Sequence, residues 1–208
     1  MTVVNQNIMS VEYPVMEHFY TLQGEGRYTG QAAYFIRLGG CDVGCVWCDV
    51  KESWDKEAHP LMTVAALVRE ASAYPARIVV ITGGEPTLHD LQPLTQALRD
   101  AGFRTHMETA ATNPITGVWD WITLSPKKFK APLKENLPLA NELKVVVFHP
   151  SDFQWAESFL SLVSESCQLF LQPEWSKHDR MANLIIDYIE QHPEWSLSLQ
   201  THKFVHIR

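Results

Sequence analysis

The sequence predicts an α/β protein in which six short strands alternate with helices and close into an incomplete barrel of six βα units. Three observations carry this prediction. Short β-branched and aromatic runs recur along the chain, amphipathic helical patterns follow most of them, and the 208 residues fall short of a full barrel. Strand, helix, strand order implies parallel pairing with right-handed crossovers. A complete eight-unit barrel takes roughly 250 residues. An open doubly wound sheet is the competing arrangement, and in both architectures ligands collect at the C-terminal ends of the parallel strands.

The first predicted strand is Ala32–Leu38 (AAYFIRL), which runs into the loop GGCDVGCVWCD. Residues Thr63–Tyr74 repeat apolar side chains at helical spacing, and Ile78–Thr82 (IVVIT) is an apolar run too short for a helix, ending at Gly83-Gly84-Glu85-Pro86. A helical pattern at Leu91–Ala101 precedes the strand Arg104–Glu108 (RTHME), which leads into Thr109. The strand Trp121–Leu124 (WITL) delivers Ser125-Pro126-Lys127, and the stretch beyond, SPKKFKAPLKENLPLAN, holds three prolines and reads as an extended loop. Then come a strand at Glu142–Phe148 (ELKVVVF), a helix at Asp152–Ser164, a strand at Gln168–Gln172 ending at Gln172-Pro173, and a last helix near Asp179–Gln191. Every strand but the fifth, Glu142–Phe148, delivers polar or ligand-type residues to one rim. No repeat, low-complexity tract or linker divides the chain, so residues 1–208 read as one domain.

Composition narrows the function. Apolar residues at 46% and charged residues at 20% exclude a disordered chain. With 17 Lys and Arg against 24 Asp and Glu, the net charge of −7 leaves no broad cationic surface for a nucleic-acid backbone. No apolar run reaches the roughly 18 residues of a membrane span. The N-terminal MTVVNQNIMSVEYP has neither a basic start nor an apolar stretch for export, so the expected setting is cytosolic, with no membrane partner.

Three of the four cysteines, Cys41, Cys45 and Cys48, fall inside eight residues, while Cys167 stands apart before an apolar run and reads as a small buried hydrophobe. In a reducing compartment such clustering points to metal or redox chemistry rather than disulfides. Zinc usually draws two short ligand pairs from two segments. A single triplet with x3 and x2 spacing can instead wrap three corners of a 4Fe-4S cubane and leave the fourth iron open. A zinc site completed by His59 or His18 is the alternative.

The loop Cys41-x3-Cys45-x2-Cys48, with Trp47 before the last cysteine and TGGEP at Thr82–Pro86, resembles the radical S-adenosylmethionine (SAM) superfamily. Within it, TLQGEG at Thr21–Gly26, FIRLGGC at Phe35–Cys41, SPK at Ser125–Lys127, LQP at Leu171–Pro173 and QTHK at Gln200–Lys203 resemble the 7-carboxy-7-deazaguanine synthases, over nearly the whole chain. The resemblance implies the incomplete (β/α)6 barrel of the radical SAM type. It implies a lyase acting on 6-carboxy-5,6,7,8-tetrahydropterin, in which reductive cleavage of SAM gives a 5′-deoxyadenosyl radical. Hydrogen abstraction, ring contraction and loss of ammonia then yield a precursor of queuosine, and SAM is regenerated.

The same resemblance assigns roles by position. Cys41, Cys45 and Cys48 hold the cluster; Trp47, Gly84, Glu85 and Glu108, with Ser125, Pro126, Lys127 and Gln172, bind SAM. Leu22, Gln23, Gly24 and Glu25, with Arg37, Thr82 and His202, bind the substrate, and Glu25 counts among the catalytic residues. Physical reasons stand beside several of these. Glycines at 83 and 84 open the backbone at a strand end. Arg37, set among Phe35, Ile36 and Leu38, needs an anionic partner, either a substrate carboxylate or an internal acid. Glu25, between two glycines, is free to accept hydrogen bonds from ring N–H groups. A flavodoxin-type electron donor and a homodimer are further implied.

One position departs from the pattern. The resembling family carries Thr or Ser two residues after the last cluster cysteine, where the hydroxyl helps bind Mg²⁺; here Val50 stands there beside Asp49. Valine offers a hard cation no oxygen, so a blunted Mg²⁺ requirement is expected. Two other functions compete: an activase installing a glycyl radical on a partner protein, and a non-enzymatic iron–sulfur or zinc module.

Overall fold

The computed structural model describes residues 7–208; residues 1–6, part of the stretch on which the export reading rests, lie outside them. The described strands are β1 (Glu12–Leu22), β2 (Ala32–Leu38), β3 (Leu61–Thr63), β4 (Ile78–Gly83), β5 (Arg104–Thr109), β6 (Trp121–Leu124), β7 (Glu142–Val147), β8 (Gln168–Pro173) and β9 (Trp195–Leu197). They form one sheet in the order β3-β1-β2-β4-β5-β6-β7-β8-β9. From β2 to β9 neighbours are parallel in chain order, whereas β1 runs antiparallel to β2 and β3 antiparallel to β1. The helices are α1 (Val64–Ser72), α2 (Gln92–Asp100), α3 (Ser151–Glu157), α4 (His178–Ile189) and the short α5 (Thr201–Phe204). Among the described residues no helix is long and apolar enough to cross a membrane.

The six predicted strands are β2 and β4 to β8, with ends agreeing within one residue. The unpredicted ones have identifiable disguises. β1 contains Pro14, and its face bearing His18 and Tyr20 is only half-buried, so apolar alternation is diluted. β3 and β9 are three residues each, too short to show a period. Helix α3 stops at Glu157 rather than continuing to Ser164. There the Ser158 hydroxyl donates to the Trp155 carbonyl (2.6 Å), and Phe159, Leu160 and Leu162 turn by three-residue steps (2.9–3.1 Å).

Period-two alternation sorts the strands into two faces. Outward, Ile36, Leu38, Val79, Ile81 and Met107 pack with Leu67 of α1 and Leu94 and Leu98 of α2. Leu143, Val145 and Leu171 pack with Ala156 of α3 and Met181 and Ile185 of α4. Each of the larger side chains, the leucines, isoleucines, valines and methionines, contributes about 1.5–3 kcal/mol by leaving water. The alternate positions Arg37, Thr82, Glu108 and Lys144 are thereby forced to the inner face, where register places Arg37 beside Glu17 and Thr82. The loop after β1 also turns inward. Gly26, at φ +62°, lies against the Glu142 carboxyl, and Tyr28 plugs the barrel with its ring 4.5 Å from His106 and 5.0 Å from Trp121.

Candidate active site

At the C-terminal ends of the parallel strands lies a cavity of about 290 Å³ with two unlike walls. One wall is the cysteine loop, with Cys41, Cys45 and Cys48 all facing the cavity as free thiols. Hydrogen bonds from Gly40 N to Ser53 O (2.7 Å) and Cys41 N to Trp54 O (3.1 Å) close the loop at its base. Asp42 ties it to the rim: it accepts from Thr112 Oγ1 (3.0 Å), Asn113 Nδ2 (3.1 Å) and Lys130 Nζ (2.5 Å). These donors, with burial working against them, hold its carboxyl below the usual aspartate range.

The glycine turn after β4 explains how the loop is seated. A Cβ on Gly84 would overlap the Gly40 carbonyl and lie 2.7 Å from Cys41 Cβ. The N–H groups of Gly84 and Glu85 are already taken, by Leu38 O (3.1 Å) and Gly40 O (2.8 Å), so the turn clamps the cysteine loop to the sheet. Glu85 is placed differently from its expected role. It is 1% exposed, and its carboxylate accepts from Thr87 N (3.0 Å), Thr87 Oγ1 (2.6 Å), Thr109 Oγ1 and Ala110 N (2.8 Å). Its side chain braces β4 against β5 and does not line the cavity.

The thiols fit an iron–sulfur cluster. Burial pushes Cys45 up to about 11 while nearby Lys127 pulls the other way; burial also raises Cys41, opposed by the N–H groups of Val43 and Gly44. Val50 N donates to Cys48 Sγ at 3.4 Å. Amide dipoles aimed at sulfur favour thiolates that a metal then neutralises. Among the described residues, no three His, Cys, Asp or Glu side chains converge on a single-ion point, and the three thiols share one wall of the cavity. The two histidines considered for zinc are elsewhere: His18 bonds Tyr34 at 2.5 Å and His59 bonds Glu52 O at 2.8 Å.

The opposite wall is an acid and amide network. Lys144 of β7, 3% exposed, bridges Glu25 and Glu108, reaching Glu108 Oε2 at 2.7 Å. Gln23 donates to Glu108 Oε1 (3.2 Å) and accepts from Glu25 N (3.1 Å); Gln200 donates to Glu25 Oε1 (3.0 Å). Burial would raise Glu25, but the Lys144 ammonium and these donors hold it at about 2. Burial raises Glu108, against the pull of Lys144. Gln172 accepts from Ser198 Oγ (2.7 Å), which itself accepts from Gly26 N (2.9 Å). Lys127 donates to Ser125 O and Oγ, both at 2.6 Å, and burial lowers its ammonium.

Most expected residues therefore meet: Leu22, Gln23, Gly24, Thr82, Trp47 and His202 line this cavity with those above. Pro126 is buried beside Ser125 without lining the cavity. Arg37 lines it, yet its partner is internal, Glu17 Oε1 at 2.8 Å. Asp49 does not form an oxygen cage with Val50, because its Oδ2 accepts from Lys203 Nζ at 2.8 Å. That pair of positions does not fit Mg²⁺. The fifth predicted strand, expected to bring nothing to the rim, brings Lys144. The signal was present: a lysine set among Leu143, Val145, Val146 and Val147 in a parallel strand, the same cue that singled out Arg37.

The comparisons agree with this geometry. Residues 35–124 match the family described as the radical SAM superfamily. The 7-carboxy-7-deazaguanine synthase of Flavobacterium psychrophilum is 50% identical over 93% of this chain and 92% of its own. That of Synechocystis sp. is 50% identical over 97% and 96%, and that of Escherichia coli 37% identical over 95% and 100%. The crystal structure of QueE from Escherichia coli superposes with a TM-score of 0.86 at 34% identity, covering 97% of this chain and all of that one. Relatedness along nearly the full length and a shared fold place this chain in the 7-carboxy-7-deazaguanine synthase family of radical SAM enzymes.

Proposed function

We infer that this chain, acting as one unit over residues 1–208, converts 6-carboxy-5,6,7,8-tetrahydropterin to 7-carboxy-7-deazaguanine with loss of ammonia. The observation that carries the reading is the single cavity in which three free thiols face a paired carboxylate wall. Cys41, Cys45 and Cys48 would hold a 4Fe-4S cluster, with Gly84, Trp47, Ser125, Lys127 and Gln172 around the adjoining SAM. When bound, cluster and SAM together supply a 5′-deoxyadenosyl radical able to take a hydrogen atom from the substrate.

The chain's own residues bind and enclose. Glu25 accepts hydrogen bonds from the ring edge; Glu108, expected among the SAM contacts, joins it there because Lys144 and Gln23 tie it to the Glu25 side of the cavity, and Thr82 adds a hydroxyl at the end of β4. Arg37, beside Glu17, puts a guanidinium at the cavity for the substrate carboxylate. Thr201 N donates to Gly24 O at 2.8 Å and His202 packs on Gly24, so the C-terminal segment closes over the loop after β1. Such closure keeps water and stray hydrogen donors from a reactive species. The supply of electrons calls for a flavodoxin-type donor, a cytosolic setting keeps the thiols reduced, and the resembling family supports a homodimer.

Anaerobically reconstituted protein, given the carboxytetrahydropterin, SAM and reductant, is expected to release ammonia and the deazapurine while SAM is recovered intact. Cleavage of SAM with neither ammonia nor deazapurine would favour an activase. Colourless, zinc-loaded protein would favour a binding module.

A further inference from the structure

We propose that Lys144 is the positioning residue of the substrate wall, pinning Glu25 and Glu108 side by side as a paired acceptor for a ring edge that presents adjacent N–H groups. The proposal rests on the substrate class inferred above and adds to it a residue and a mode of recognition.

Three features of the geometry carry it. The ammonium sits between the two carboxylates, bonded to an oxygen of each. All three line the cavity, but the acids are each 19% exposed against 3% for Lys144, so the carboxylates present more surface to it than the lysine does. Finally, an ammonium has donors only, so it cannot itself receive a ring N–H; its effect must pass through the acids. Each carboxylate offers about four lone-pair directions. The known partners of Glu25 are Lys144 and Gln200, and those of Glu108 are Lys144 and Gln23, which leaves acceptor capacity toward the cavity.

Removing the cation changes the pair's character. Two buried carboxylates held together without it cannot both stay ionised, so they share a proton and one acceptor becomes a donor. The charged groups around this point are Glu25 from the loop after β1, Glu108 from β5, Glu142 from β7, Lys127 after β6 and His202 from α5. Burial disfavours the Lys144 ammonium, and the three acids more than offset it. The other basic groups, Lys127 and His202, are both shifted downward by burial, which favours their neutral forms, so they compensate poorly for its loss.

The test compares reconstituted wild type, Lys144→Met and Lys144→Arg in pterin turnover from pH 5.5 to 9, with iron content and SAM binding measured alongside. For Lys144→Met the expected result is wild-type iron and SAM binding. Its kcat/KM for the pterin falls about a hundredfold near neutrality, and its acid limb moves up by about one pH unit or more. Lys144→Arg is expected to return the limb toward its wild-type position, since the charge is kept. A Lys144→Met limb that coincides with wild type, or an equal loss in SAM binding, overturns the proposal. If Lys144→Met does not fold, Glu108→Gln decides: with Lys144 serving Glu25 alone, pterin KM rises without a new acid limb, and a new limb above pH 6 overturns it. Failure of wild type to turn over the pterin at all sinks the substrate reading instead, which separates the two.

Discussion

The two walls of the cavity are built on opposite plans. The cysteine wall takes its three sulfurs from eight consecutive residues and is tied across the fold through Asp42, Gly84 and Asp49. The carboxylate wall takes Glu25, Glu108, Lys144 and Gln200 from four separate segments that meet only when the barrel closes. A metal cluster tolerates a short, self-contained loop because its ligands are strong and its shape is its own. A planar organic substrate must be met from several sides by groups fixed to rigid strands. The contrast predicts that damage to the first wall removes the cofactor, whereas damage to the second leaves the cofactor and removes recognition.

The largest effect comes from the ligands themselves. Replacing any one of Cys41, Cys45 or Cys48 by Ala is expected to abolish turnover and strip the reconstituted protein of most of its iron, measured by iron and sulfide analysis with the visible spectrum. Cys167→Ala, whose thiol is buried in the core that holds Leu143, Leu171 and Met181 and is raised to about 11 by burial, is expected to keep both. Iron retained by a Cys45→Ala protein at the wild-type ratio would break the contrast at its root.

This contrast also accounts for what the sequence made legible. The cysteine triplet and the strands β2 and β4 to β8 announce themselves through spacing and period, both local properties. The lysine within Glu142–Val147 calls for an anion by the same cue as Arg37, but which acids meet it, Glu25 and Glu108 from distant segments, follows only from closure of the sheet. Arg37 was recognised as needing an anion, but its choice of Glu17 depends on antiparallel pairing of β1, the strand disguised by Pro14 and a half-exposed face. Glu85 was read through its motif as a ligand contact, and only the packing of β4 beside β5 turns it into a brace.

The clamps come next in size, and they test whether the first wall is as self-contained as its ligands suggest. Gly84→Ala drives a methyl into Gly40 and Cys41, so the loop must shift. The overpacking costs about 1–3 kcal/mol in stability. SAM affinity is expected to fall at least tenfold, read by equilibrium binding to reconstituted protein. Asp42→Ala is milder. It removes three donors' common acceptor at a site 28% exposed, so about 1–2 kcal/mol is lost. Iron release to a chelator should quicken several-fold with turnover of the remaining loaded enzyme unchanged; an unchanged release rate would show the loop to be held by its own turns alone.

The smallest expected effect lies where the walls join. Asp49 belongs to the cysteine loop, and its carboxylate is bonded to Lys203 of α5, which also reaches Gln200 Oε1 at 3.0 Å. A divalent cation at this point would have to displace an ammonium and would find a methyl-bearing Val50 where the resembling family carries a hydroxyl. Hard cations need several oxygens, so turnover is expected to change by no more than about twofold between chelator and millimolar Mg²⁺. Val50→Thr alone leaves the ammonium in place and is expected to stay indifferent. Val50→Thr combined with Lys203→Met vacates Asp49 and supplies the oxygen, so only that double variant should become Mg²⁺-responsive. A wild-type rate that drops more than about tenfold on chelation, measured as initial ammonia release, would mean that substrate and backbone oxygens suffice to seat the ion without either side chain.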